Sequence, residues 1–419
     1  MTSRGLSPGR SGPGRFRPAA YAIRRAVGSA TVMYVAALAM SGFAILLSVA
    51  LPPAERGLLV ATTTSATVGV AVGGLSLETF MLAQGSDWLR ERSGRRSLAV
   101  YAATVPLSAT LGWVFAWYAE AASPALAATG AACVAAGTMP AAAGLTLGRF
   151  VAVYRQRALF AATAPVLYLV LILASVDDAT VWLLAWLGCQ AVMAVAMWAA
   201  HGAPLGAMAR RASAEPERLA RLGLTHTGAV AQIFTYRFDQ LALARYQGAD
   251  ALAIYSLAVA AIEFSQAGAV VAAQRTLRDH EEGSADRLRG VLRRAVYLAV
   301  GMGVLVLVGL AGIGVLTSGY AAAVLLGALL VPRSVAVSVG KVLSARLVNL
   351  GGERTTAVIA LGTALAAVVG YPLVAAPYGA WGVAALSVAL FAAHSTALGL
   401  AVRSGAGHRV AGDRDSGRE

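Results

Sequence analysis

The chain has 419 residues, of which 58% are hydrophobic and only 13% charged, and it carries a formal charge of +14. Water-facing domains carry about 25% charged residues, so this composition excludes a soluble globular fold. The positive charge sits in short gaps between apolar blocks, the pattern of a multi-pass membrane protein, and this argues against nucleic acid as a partner.

In chain order, the first element is a segment rich in Arg, Gly, Ser and Pro, residues 1–25, read as a disordered basic cytoplasmic tail. The apolar block after it is too long for a signal-peptide core, and no convincing cleavage site follows. Apolar blocks then cover 27–51, 57–82, 98–118, 124–147, 158–176, 180–200, 222–246, 251–273, 295–316, 320–348, 356–376 and 381–402. A helix needs about 20 apolar residues to cross hydrocarbon roughly 30 Å thick. By that measure there are about twelve spans.

The gaps alternate in chemistry. The tail and the even gaps carry arginine, for example Arg90, Arg92, Arg95 and Arg96 in the second and Arg210, Arg211, Arg218 and Arg221 in the sixth. The odd gaps are very short and carry Glu55, Glu120, Asp177, Asp178 and Asp250, with Arg56 as the clear exception and Arg245 near another. Positive charge is retained on the cytoplasmic side, which puts both termini there and predicts a multi-pass protein of the cytoplasmic (inner) membrane.

The sixth gap, 201–221, contains Pro204 and Pro216 and divides the chain into two sets of six spans. The N-lobe covers 26–200 and the C-lobe 222–402, with a C-terminal tail at 403–419. A weak self-similarity crosses the divide. Leu51 onward and Gln247 onward both run from a short polar turn into a helix rich in small residues, with Gly57 aligned on Ala253. The predicted fold class is an all-α integral membrane protein of two six-helix lobes related by a pseudo-two-fold axis, with substrate held between them near mid-membrane.

Charges at membrane depth are costly, and they face a cavity or a partner. Arg237 and Asp239 lie in the middle of the seventh span and point to opposite sides of one helix. Arg237 is read either as a cavity-lining anion ligand or as a structural residue. In the tenth span Ser334, Ser338 and Lys341 share one face, with Arg333 about 80° round the helix from Lys341. Pro332 predicts a kink or local opening there. Lys341, the chain's single lysine, is read either as a cavity ligand or as a residue snorkelling to the headgroups. Glu263 and Glu78 are candidate coupling sites, or salt-bridge partners of Arg237 or Arg333. Cys133 and Cys189 sit inside apolar blocks as small hydrophobes. Two cysteines and five histidines show no metal-ligand spacing, so neither metal nor other cofactor is expected.

The segment from Thr235 to Glu263 resembles the Tyr-Arg-x-Asp-Gln region of bacterial polysaccharide flippases, which move O-antigen and exopolysaccharide units. These belong to the multidrug/oligosaccharidyl-lipid/polysaccharide exporter superfamily. The turn around Leu51–Leu59, the segment from Ser344 and the segment from Pro377 are similar to other pieces of that family in the same order. The chain departs from it in having Pro-Pro at the first outer turn and Ala253 where a glycine is common.

The resemblance implies a V-shaped, alternating-access transporter whose cargo is an oligosaccharide on undecaprenyl pyrophosphate. Carried over, Arg237 would be the motif's arginine and Asp239 its aspartate; joined to the reading of the buried charges, Arg237, Arg333 and Lys341 are the candidate pyrophosphate ligands, and Asp239, Glu263 and Glu78 the candidates for coupling or ion pairing. It also implies membrane lipid, glycosyltransferases and a polymerase as partners. A cation-coupled multidrug exporter, a peptidoglycan-precursor flippase and a non-transporting scaffold are the nearer rivals. A membrane glycosyltransferase or polymerase is the rival from another class. It needs acid, base or metal groups in an outer loop, and the outer gaps are only a few residues long. The chain is therefore expected not to be an enzyme.

Overall fold

A computed structural model describes residues 17–211, 219–266, 273 and 285–415. Within them the chain is helical throughout, with no strand. The helices are α1 (Arg17–Leu47), α2 (Pro53–Gly73), α3 (Leu77–Asp87), α4 (Arg95–Tyr118), α5 (Pro124–Thr146), α6 (Phe150–Leu173), α7 (Ala179–His201), α8 (Ala203–Arg210), α9 (Leu219–Phe264), α10 (Ala285–Leu316), α11 (Ala322–Asn349) and α12 (Glu353–Asp415).

Local chemistry sets several of the ends. Pro53 and Pro124 occupy first-turn positions, where a missing N–H costs nothing. Ser123 caps α5 by accepting from the Leu126 amide at 3.2 Å, and Asp178 caps α7 by accepting from the Thr180 amide at 2.7 Å. The second span is broken: α2 and α3 meet at 42°. At the break Leu75 and Ser76 both take φ of 50°, a left-handed conformation costly for residues with a Cβ.

Two of the long helices are hairpins. Gly248 in α9 has φ 80° and ψ −175°. In a straight helix Asp239 and Tyr255, 16 residues apart, would be separated by about 24 Å, yet the Tyr255 hydroxyl donates to Asp239 at 2.7 Å. The chain therefore reverses at Gly248. Gly379 (φ 57°, ψ −146°) reverses α12 in the same way, placing Thr363 and His394 side by side at 2.9 Å. Among the described residues eight helices are long and apolar enough to cross a membrane, or nine with the bent α2–α3 pair counted as one. The α12 hairpin carries two arms but stands once in that count, and α9, reversed at Gly248, is a further hairpin that the count does not include.

In the first half α1 packs on α6, α2 on α4, α4 on α5, and α5 on α7. In the second half α9, α11 and α12 pack on one another, and α10 covers α11. The halves meet chiefly where α2 lies along α9. The outer faces carry exposed Leu159, Leu173, Val195, Val308 and Leu365, as a hydrocarbon surround requires.

Some bounds differ from expectation. The first helix begins at Arg17, inside the segment read as a tail, and the last runs on to Asp415. Residues 203–210 of the sixth gap form a helix whose Leu205 and Met208 are buried. Arg211 donates to the main-chain oxygens of Leu89 and Arg90, which clamps this helix to the first half. Helix α11 continues through Pro332, so the expected opening does not form. One missing N–H is a loss that the packed surroundings tolerate.

Candidate functional site: a cavity between the halves

An open cavity of about 540 Å³ lies between the halves. Its walls differ in character. One wall is the largely apolar side of α1, including Val35, Leu38 and Ile45; the other is α9, the turn that follows it and α11, which present Gln232, Arg237, Glu263, Gln266 and Lys341. The reversal at Gly248 brings the two arms of α9 together, so Arg237 from the first meets Glu263 from the second at 2.9 Å. Both side chains keep about a quarter of their surface exposed, at 28% and 23%. The Lys341 ammonium lies 3.5 Å from the Gln266 amide oxygen and 6.0 Å from the centre of the Tyr236 ring. A cation over an aromatic face gains about 0.5–2 kcal/mol, and this contact adds to the placement of Lys341 at the cavity wall.

Asp239 and Arg333 do not line this cavity. Asp239 turns to the opposite side of α9, as its two-residue spacing from Arg237 predicts. It is fully buried, and accepts from the Tyr255 hydroxyl and from the Gln240 amide, each at 2.7 Å. Arg333 is 1% exposed, pairs with Asp239 at 3.3 Å and stacks 5.0 Å from the centre of the Phe391 ring. In this conformation it cannot reach a ligand, contrary to the expectation of a pyrophosphate-binding arginine. Burying an arginine requires a counter-charge, and Asp239 supplies it. Ser334 bonds Ser265, and Ser338 is buried, so of the polar stripe on α11 only Lys341 reaches the cavity.

Glu263 is a partner of Arg237 and approaches Arg333 at 3.8 Å, as the ion-pair alternative expects. Glu78 is not a partner of either. It pairs with Arg157 of α6, beside a smaller cavity of about 190 Å³ lined by Ser76, Thr79, Thr104 and Thr138. The turn at Leu75–Ser76 sets α3 against α5 with Glu78 in reach of Arg157 on α6, which the sequence of one helix does not show.

A second site, Arg56, was visible in the sequence only as a cation in an acidic gap. It is fully buried near the start of α2. Its guanidinium donates to the Ala253 main-chain oxygen, to Ser256 Oγ at 3.0 Å and to Ser48 Oγ at 3.0 Å, and it lies 5.7 Å from the centre of the Tyr320 ring. Beside it a Cβ on Gly57 would collide with the backbone of Ala249. The repeat-related helix starts thus touch each other. Arg245 with Glu120, and the Tyr320 hydroxyl with the Leu51 oxygen at 2.8 Å, add two more bonds between the halves at this acidic end. The cavity lies between this seal and the arginine-rich end.

The fold has solved counterparts. An inward-facing multidrug resistance MATE family transporter of the MOP superfamily superimposes with a TM-score of 0.57 at 13% identity, covering 91% of this chain and 95% of that one. The eukaryotic MATE transporter AtDTX14 does so with a TM-score of 0.53 at 13% identity, covering 91% and 98%. The chain has the MATE transporter fold. Its structural neighbours of this MATE fold are membrane transporters, not enzymes. No family model matches the sequence, and no curated protein does.

Proposed function

We propose that this chain is a polysaccharide flippase that moves a polyprenyl-pyrophosphate-linked oligosaccharide across the bacterial inner membrane by alternating access. The observation that carries the reading is the asymmetry of the cavity. Among the described residues Arg237 and Lys341 stand against a single lining carboxylate, Glu263, and they face a largely apolar wall on α1, where Tyr34 and Ser41 are the polar exceptions. A pyrophosphate needs cationic donors in a low-dielectric site, and a guanidinium offers them in matched pairs. The polyprenyl tail stays against apolar side chains while the sugar crosses in water. The arginine-rich end is cytoplasmic by the charge rule, so the cavity with its seal at the acidic end faces the cytoplasm and awaits cargo. Glycosyltransferases and a polymerase are the natural suppliers and consumers of such a cargo.

The second reading is a cation-coupled multidrug exporter, favoured by the MATE fold of the neighbours and by Glu263 in the cavity wall. Reconstitution separates the two. In vesicles the purified chain is expected to flip a fluorescent polyprenyl-pyrophosphate saccharide and to leave a lipophilic cation where it is. Cation transport with no movement of the pyrophosphate lipid would establish the exporter reading instead.

A further inference from the structure

Glu263 occupies an unusual position between two arginines. Its Oε2 accepts from Arg237, which lines the cavity, at 2.9 Å. Its Oε1 lies 3.8 Å from Nη2 of Arg333, which is sealed behind the cavity wall. That gap is too long for a hydrogen bond. Neither Oε1 nor Nη2 has any other hydrogen-bond partner among the described residues. These two buried, oppositely charged atoms thus attract across a gap about 0.6 Å beyond hydrogen-bond range, and each stays without a hydrogen bond, at a cost in free energy, until the gap closes.

We infer that Glu263 is an internal counter-anion that changes partners as the cavity fills. This rests on the anion-transport reading above. With the cavity empty, Glu263 neutralises Arg237 and keeps the guanidinium in place. A phosphate group arriving at Arg237 competes for the same N–H groups and displaces the carboxylate. The freed carboxylate closes the short gap to Arg333, so it is never left buried without a partner. No proton or covalent bond moves; one charge-assisted hydrogen bond is exchanged for two. Two consequences follow. The cargo binds more weakly than a bare Arg237–Lys341 pair would hold it, which lets it leave. Filling the cavity also ties the second arm of α9 to α11, so occupancy alters the packing of the second half.

The test is calorimetric titration of the full-length chain in detergent with inorganic pyrophosphate. Glu263→Gln is expected to tighten binding about tenfold, because the competing charge is gone while the side-chain shape remains. In an Arg237→Gln background the same change is expected to alter affinity less than about twofold, since the competition needs both partners. A structural role for Glu263 would not give that dependence. Should Glu263→Gln lose its monodisperse elution, Glu263→Asp, which keeps the charge but shortens its reach to Arg237, is expected to give a smaller tightening. Binding that requires Arg237 but is unchanged or weakened by Glu263→Gln overturns the exchange and leaves the anion reading standing. No pyrophosphate binding to any form overturns both.

Discussion

Arg56, in the first turn of α2, donates to the main-chain oxygen of Ala253, 197 residues further along the chain. All its cross-half bonds, to Ala253 and Ser256, must break if the acidic ends of the halves are to separate. Hydrogen bonds from charged groups contribute roughly 1.5–3 kcal/mol each. Losing them shifts the balance toward an outward-open form. Arg56→Ala, combined with Ala253→Cys, Cys133→Ala and Cys189→Ala, is expected to label with an impermeant maleimide from the outside at least about tenfold faster than the same protein with Arg56 intact. Unchanged labelling would mean that Arg56 does not hold the seal.

Gly57 tests the same seal by sterics. Its Cα faces the backbone of Ala249 so closely that no Cβ fits. Gly57→Val is expected to raise labelling at the same cysteine even with Arg56 present. If labelling stays slow, the halves close by another contact.

Arg333 and Arg237 should differ in kind. Breaking a buried ion pair costs about 3–5 kcal/mol because the remaining charge is stranded. Arg333→Ala is therefore expected to lower the thermal midpoint in detergent by several degrees. Arg333→Met with Asp239→Asn should recover most of that loss. Arg237→Gln, at a partly exposed position, is expected to leave the midpoint nearly unchanged. Equal destabilisation by the two single variants would contradict the division into a sealed cluster and a cavity ligand.

Much of this molecule is legible in its sequence, and the limits have physical causes. Span length and charge alternation reveal the helices because hydrocarbon tolerates neither short helices nor free charges. The spacing of Arg237 and Asp239 correctly places them on opposite faces, since helix geometry alone decides that. Arg333 could not be assigned in this way. Whether a helix face meets water or another helix depends on neighbours distant in sequence, here Asp239 and Phe391. The partner of Glu78 is not legible in the sequence, because the bend at Leu75–Ser76, beyond which Glu78 meets Arg157, carries no glycine or proline at its left-handed residues. Arg56 did leave a signal, as the one clear cation in the acidic gaps. Its meaning needed the helix it touches.

Flux of the pyrophosphate-linked lipid through vesicles containing Arg237→Gln, set against the unaltered chain, tests most directly whether a cationic cavity carries an anion. Removing a charged donor from a partly desolvated phosphate site is worth roughly 1.5–3 kcal/mol, about 10- to 150-fold. Flux is predicted to fall by that factor while the protein elutes and melts as before. Equal flux from both proteins would contradict the claim that Arg237 holds the cargo.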